Sequence, residues 1–296
     1  MSSTLKPPIF VFGNARSGTS LLANLISAHP GLVKWHEPRT IWLYADPARP
    51  HDHFDERDAS EKVIRYIRKR FLRYQTAQGG LRVVEKTPQN VLKIRYVRAI
   101  FPEATYLYIV RNPFSYISSV EAKWQRIVSA KGIVRRIRQT PPLQLPYYLR
   151  QFCSDQLNKR ILRRKYVRFY GVRYEGMLDD LARLDLLTVV ARQWATCSRI
   201  AEQDLAGFES GRVLRIRYED LVAAPVPYLH EVCAHCGIEP TPEMLRMAEE
   251  VVDPGRQDKW KRFDPAQLRT VLPELETEMK RHDYEIPAEL QDAVPA

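Results

Sequence analysis

The sequence predicts an α/β fold, with a P-loop-type central parallel β-sheet flanked by helices and carrying a basic helical insertion. Three observations carry that expectation. An apolar strand, Ile9-Phe10-Val11-Phe12, runs straight into a glycine-framed loop, Gly13-x-x-x-x-Gly18-Thr19-Ser20. A second near-continuous apolar run at residues 105–110 has the composition of a strand buried on both faces. Strand-like segments alternate with helical ones along the chain, as parallel strands joined by helical crossovers require.

Taken in order, residues 9–12 are the first strand and residues 18–28 the first helix, with Leu21, Leu22, Leu25 and Ile26 on one face and His29-Pro30 as its stop. Residues 82–85 read as a second strand, 89–100 as a helix, 105–110 as the central strand, and a further helix begins at Pro113. Residues 213–217 form a later strand running into Tyr218-Glu219-Asp220, and helices are expected over much of 144–206 and 241–281. Proline-rich stretches at 141–146 and 225–227 read as loops rather than domain linkers. With no repeat or low-complexity stretch, residues 1–296 read as a single domain with its helical insertion at about 124–206.

Composition narrows the classes. An apolar content of 45% supplies a sizeable core, and the first residues hold no apolar leader. No run of about eighteen apolar residues is present, so a cytoplasmic protein without a transmembrane segment is expected. Cys153, Cys197, Cys233 and Cys236 are too few and too scattered for a disulfide scaffold. Cys233-x-x-Cys236 lies with His230 and His235 in a helical stretch, but no second ligand pair accompanies it, so no metal is expected. The net charge of +11 is concentrated: residues 123–173 hold fourteen Lys and Arg against the single acid Asp155, leaving −2 for the remainder. Such a block is either a solvated face or a surface that steers an anionic acceptor.

The loop decides the chemistry. Its frame matches the phosphate-binding pattern of nucleoside triphosphatases, except that Thr19 stands where their lysine belongs. The anion cradle of main-chain N–H groups and a helix start is kept, and Arg16, inside the loop, supplies the cation instead. Sites in open parallel sheets lie beyond the carboxyl ends of the strands. Lys86-Thr87-Pro88 and Arg111-Asn112-Pro113 follow two of those strands, so two more basic groups should face the same crevice as residues 13–20.

Together these segments resemble the sulfotransferases that use 3′-phosphoadenosine 5′-phosphosulfate (PAPS), in particular the tyrosylprotein sulfotransferase branch with its bacterial relatives, and the resemblance spans most of the chain. Asn14, Ala15, Arg16, Ser17, Gly18, Thr19 and Ser20 stand in the place of the family's loop for the 5′-phosphosulfate. Arg111, ending a central strand, and Ser119, eight residues on, match the pair that holds the 3′-phosphate. Glu37, twenty-one residues after Arg16 in His36-Glu37-Pro38-Arg39, matches the branch's catalytic base, and Arg39 an arginine near it. Lys86 resembles the lysine at the bridging region of the donor, Tyr218 a donor-contacting tyrosine, and Lys259-Trp260 a late Ser-Lys-Trp segment whose serine is Asp258 here. Acceptor-site residues of the tyrosine-modifying enzymes have no counterpart, so a protein tyrosine substrate does not follow.

The resemblance implies a metal-free transfer of a sulfuryl group to a hydroxyl of a carbohydrate, lipid or small-molecule acceptor, anionic acceptors included. Arg16 and Lys86 would stabilise charge on the leaving phosphate, and Glu37 would accept the proton, with His36 as the rival base. Two other readings compete. A P-loop kinase would need magnesium and ATP, and lacks its lysine here. A nucleic-acid-binding protein using 123–173 would bind with steep salt dependence, but no recognition motif accompanies the charge, so no nucleic-acid partner is expected. Trp124 and Trp194 read as core or rim aromatics.

Overall fold

A computed structural model describes residues 4–124, 171–251 and 258–291. Among these, five strands form one parallel sheet: β1 (Ile9–Phe12), β2 (Leu32–His36), β3 (Arg82–Lys86), β4 (Thr105–Val110) and β5 (Val213–Arg217), in the order β2-β3-β1-β4-β5. The central place of β1 follows from its composition, since all four of its residues are buried, none more than 2% exposed. Phe10 and Phe12 enter one core with Trp42, Phe71, Tyr106 and Trp194, while Ile9 and Val11 enter the other with Leu22, Val84, Ile109 and Leu229. Each such side chain contributes about 1.5–3 kcal/mol on burial.

The described helices are α1 (Thr19–Ile26), α2 (Glu61–Ala77), α3 (Ile94–Ile100), α4 (Pro113–Trp124), α5 (Met177–Arg183), α6 (Leu186–Leu205), α7 (Tyr218–Ala223), α8 (Pro225–Cys236), α9 (Pro242–Val251), α10 (Pro265–Arg269) and α11 (Leu272–Arg281). Core residues of α2, α3, α4, α6 and α11 cover one face of the sheet, and those of α1, α7, α8 and α9 the other.

The strands at 9–12, 105–110 and 213–217 coincide with expectation, and β3 extends one residue further, to Lys86. Other boundaries differ for identifiable reasons. Residues 89–100 do not form one helix: a 3₁₀ turn spans Pro88–Leu92, and Lys93 at φ −136° breaks the chain before α3. The stretch 225–227 is no loop but the first turn of α8, where the missing proline N–H groups cost nothing. Helix α1 stops at Ile26 with Ser27 as its cap, two residues short of expectation. Residues 125–170, which hold Cys153, the 141–146 stretch and most of the basic block, lie outside the described residues. Strand β2 and helix α2 were not assigned from sequence. Helix α6, near the end of the expected insertion, is a core element whose Trp194 is fully buried.

Candidate active site

The loop leaving β1 is built on two glycines. A Cβ on Gly13, at φ +152°, would lie 2.4 Å from the Ile109 carbonyl oxygen, and one on Gly18, at φ +90°, 2.4 Å from Cδ2 of Tyr218. Both positions therefore demand glycine. Gly18 caps α1, so the positive end of that helix faces the loop. Arg16 itself sits at φ +75°, a conformation costly for a side-chain-bearing residue and typical of binding loops. Ser17 is fully buried and its Oγ finds no partner among the described residues, which leaves the hydroxyl available to an anion held by the loop.

Not every loop residue points inward. The Asn14 amide donates to the Trp194 carbonyl at 3.3 Å and to Ser198 Oγ at 3.4 Å, fastening the loop to α6. Thr19 is buried beside Gly13. Ala15 is buried, and Ser20, like Arg16, is exposed. Arg16 Nε donates to Ser119 Oγ at 3.0 Å, joining the loop to α4.

Strand order sets the rest of the site in a row. Reading across the carboxyl edge, the turn after β2 carries Glu37, β3 ends in Lys86, β1 opens into the loop, β4 leads to Arg111 and β5 to Tyr218. Neighbouring strands lie about 4.8 Å apart, so Lys86 stands between the loop and Glu37. Lys86 Nζ donates to Glu37 Oε1 at 2.6 Å, and Arg39 Nη2 to Glu37 Oε2 at 2.5 Å. Glu37 adopts φ +38°, and its carbonyl accepts from Arg39 N at 2.7 Å, a tight turn that folds the carboxylate and guanidinium together. Burial raises the Glu37 pKa, but Arg39 and Lys86 outweigh it and hold the carboxyl at about 2. His36, the rival base, is exposed at the end of β2 in register with Lys86.

Arg111 is 6% exposed, donates to the Arg16 carbonyl at 3.0 Å and lies over the Tyr218 ring at 4.3 Å. Tyr218 is thus wedged between Gly18 and Arg111. Asn112, whose Oδ1 caps α4 at Phe114 N and Ser115 N, orients the helix that carries Ser119. The 3₁₀ segment Asp258–Arg262 docks on this helix through Trp260 against Phe114, centroids 5.5 Å apart, and Arg262 Nη2 donates to the Ser118 carbonyl at 3.2 Å. Lys259 is exposed on the segment, and Asp258 pairs with Lys261 at 3.6 Å.

Sequence reasoning passed over three groups that the fold brings here. Arg262 contacts α4, Glu219 accepts from Asn112 N at 3.0 Å, and Glu85 lies buried directly before Lys86. For Glu85 the signal was present: an acid in the middle of the strand run Val83-Val84-Glu85-Lys86. Among the described residues no cluster of His, Cys, Asp and Glu is arranged to hold a metal.

A family model described as the sulfotransferase family matches residues 7–184 and 182–243. The chain belongs to the sulfotransferase family. The nodulation protein NoeE of Sinorhizobium fredii is 27% identical over 133 residues, which are 39% of this chain and 31% of that protein. The chain thus spans less than a third of the curated relative it matches. The fold is similar to the sulfotransferase domain from the curacin biosynthetic pathway (TM-score 0.60, 17% identity, covering 96% of this chain and 100% of that one). It is also similar to the sulfotransferase domain of the Synechococcus PCC 7002 olefin synthase (TM-score 0.56, 17% identity, 96% and 97% covered). No helix among the described residues is long and apolar enough to cross a membrane.

Proposed function

We propose that this sulfotransferase, a single domain acting in the cytoplasm, takes its sulfuryl group from PAPS and passes it to a hydroxyl of a glycan, lipid or small-molecule acceptor, anionic acceptors included, without a metal. The row of Glu37, Lys86, phosphate loop and Arg111 along one sheet edge carries the reading. It offers an anion cradle in the loop after β1, a cation after β4 on one side of it, and Lys86 with the Glu37 carboxylate on the other. Main-chain N–H groups of residues 14–20 with Arg16 and Ser17 would hold the 5′ arm, and Arg111 with Ser119 the 3′-phosphate. Tyr218 shapes the floor between them, and Lys259 lies on a segment docked to the same helix.

When bound, the donor supplies a sulfuryl group on a phosphate leaving group. In a loose transition state negative charge builds on the departing oxygen, and groups that meet it there lower the barrier. Lys86 and Arg16 are the cations placed for that task. Glu37 accepts the acceptor's hydroxyl proton as the new oxygen–sulfur bond forms and the bond to phosphate breaks. In the free enzyme Lys86 and Arg39 keep Glu37 ionised but weakly basic. As Lys86 turns to the leaving group, Glu37 loses one restraint and becomes the stronger base that proton transfer needs.

Calorimetry with 3′,5′-adenosine bisphosphate, against ATP with magnesium, tests the donor assignment. The bisphosphate should bind without metal, and Arg111→Ala should weaken it by about 30-fold or more, the loss of a desolvated charge partner. Binding of ATP alone would overturn the proposal.

A further inference from the structure

Glu85 precedes Lys86 on β3 and is 1% exposed. Its two oxygens gather three donors from two segments. Oε1 accepts from the Trp42 indole at 3.3 Å and from the Thr87 hydroxyl, and Oε2 from the Asn90 amide at 3.1 Å. Trp42 belongs to the 3₁₀ turn Ile41–Leu43 and lies three residues beyond Arg39, in the stretch that follows the turn presenting Glu37. Thr87 and Asn90 lie in the turn that follows Lys86. One carboxyl group therefore ties the segment bearing Glu37 to the segment bearing Lys86, from behind the face those two residues present to the crevice.

We propose that Glu85 is a positioning residue for the transfer reaction: by bridging Trp42 to Thr87 and Asn90 it fixes the spacing of the Glu37–Lys86 pair. The assignment of Lys86 and Glu37 to catalysis rests on the function proposed above, whereas the bridge itself does not. The surroundings suit an uncharged acid. The residues in register with Glu85 on β1 and β2 are Phe10 and Trp35, and the charged groups that act on it are Lys86 on its own strand and Lys93 at the start of α3. Burial dominates and pushes the carboxyl up to about 7, against hydrogen bonds from Thr87, Trp42 and Asn90.

Carboxyl-carbon NMR of the full-length protein tests the bridge through Glu37, whose low pKa reports its distance from Lys86. In Glu85→Ala the Glu37 titration should rise by about one pH unit, and 3′,5′-adenosine bisphosphate should bind about tenfold more weakly. Glu85→Gln, which retains the shape and an acceptor oxygen, should restore both. Should Glu85→Ala fail to fold, Trp42→Phe removes one strut while keeping an aromatic ring in place and should move the Glu37 titration in the same direction. A folded Glu85→Ala or Trp42→Phe protein with an unmoved Glu37 titration would overturn the bridge. Failure of the wild type to bind the bisphosphate would instead overturn the donor assignment and leave the bridge standing.

Discussion

The pairing of Glu37 with two cations yields a number that can be checked directly. Its carboxyl falls from an ordinary 4.5 to about 2, although burial alone would raise it. A fall of about 2.5 corresponds to about 3 kcal/mol of preference for the ionised form. Both partners share in it, since Lys86 Nζ and Arg39 Nη2 lie 2.6 Å and 2.5 Å from separate oxygens and all three side chains are at most 30% exposed. Lys86→Met should therefore lift the Glu37 pKa by about one, and Lys86→Met with Arg39→Met should carry it above 4.5, where desolvation is unopposed. Selective carboxyl labelling read by carbon NMR, with Glu37→Gln to assign the resonance, supplies the titration. A double variant that still titrates near 2 would show that the cations do not hold this carboxylate, and the account of Glu37 as a restrained base would fail.

Three further outcomes follow from the same structure. Gly18→Ala places a methyl group against the Tyr218 ring at positive φ, so it should cost about 2 kcal/mol or more of stability; pairing it with Tyr218→Ala should recover part of that loss, and strict additivity in denaturant melts would refute the contact. Glu85 binds its proton more tightly when folded, at about 7 against 4.5 unfolded, so its contribution is complete below about pH 4.5 and is lost as pH rises towards 7. Wild type should accordingly lose about 3 kcal/mol relative to Glu85→Gln between those limits, measured by melts across pH, and parallel curves for the two proteins would contradict it. Asp52, 2% exposed, accepts from Arg173 N and Nη2, both at 2.8 Å, beside the fully buried Lys93; Asp52→Asn should cost about 3–5 kcal/mol by thermal unfolding, and a change below 1 would show the cluster to be dispensable.

Much of the fold was legible because the strands that matter most are the most apolar. β1 and β4 are buried on both faces and read as unbroken hydrophobic runs, and the residues following them form the loop and reach Arg111. β2 was missed for the opposite reason. As an edge strand its Leu32-Val33-Lys34-Trp35-His36 is only half buried, and its length gives no periodicity to weigh. α2 was recoverable, since Val63, Ile67, Phe71 and Gln75 recur every fourth residue along its buried face. At the site, Lys86 and Arg111 could be placed from the strands they follow, whereas Glu37 and Ser119 were picked out only by the family resemblance. Their pairings were not legible, because the Glu37–Lys86 and Arg16–Ser119 contacts depend on strand order and on left-handed turns at Arg16 and Glu37, conformations that no side-chain preference announces. Tyr218 illustrates the same limit. Its place after β5 was clear, yet its role as a wedge between Gly18 and Arg111 arises only once β4 and β5 lie side by side.

One glutamine links the two ends of the stretch at 125–170. Fully buried Gln193 accepts a hydrogen bond from the Tyr116 hydroxyl of α4 at 2.5 Å and donates to the Val172 carbonyl at 2.7 Å, while the Gln89 amide donates to the Gly171 carbonyl at 3.1 Å. Departure and return of the chain are thus stitched to the same helix, α6, independently of whatever lies between. The two described flanks therefore share one side chain, so a change at Gln193 would be felt by α4 and by residues 171–172 at once.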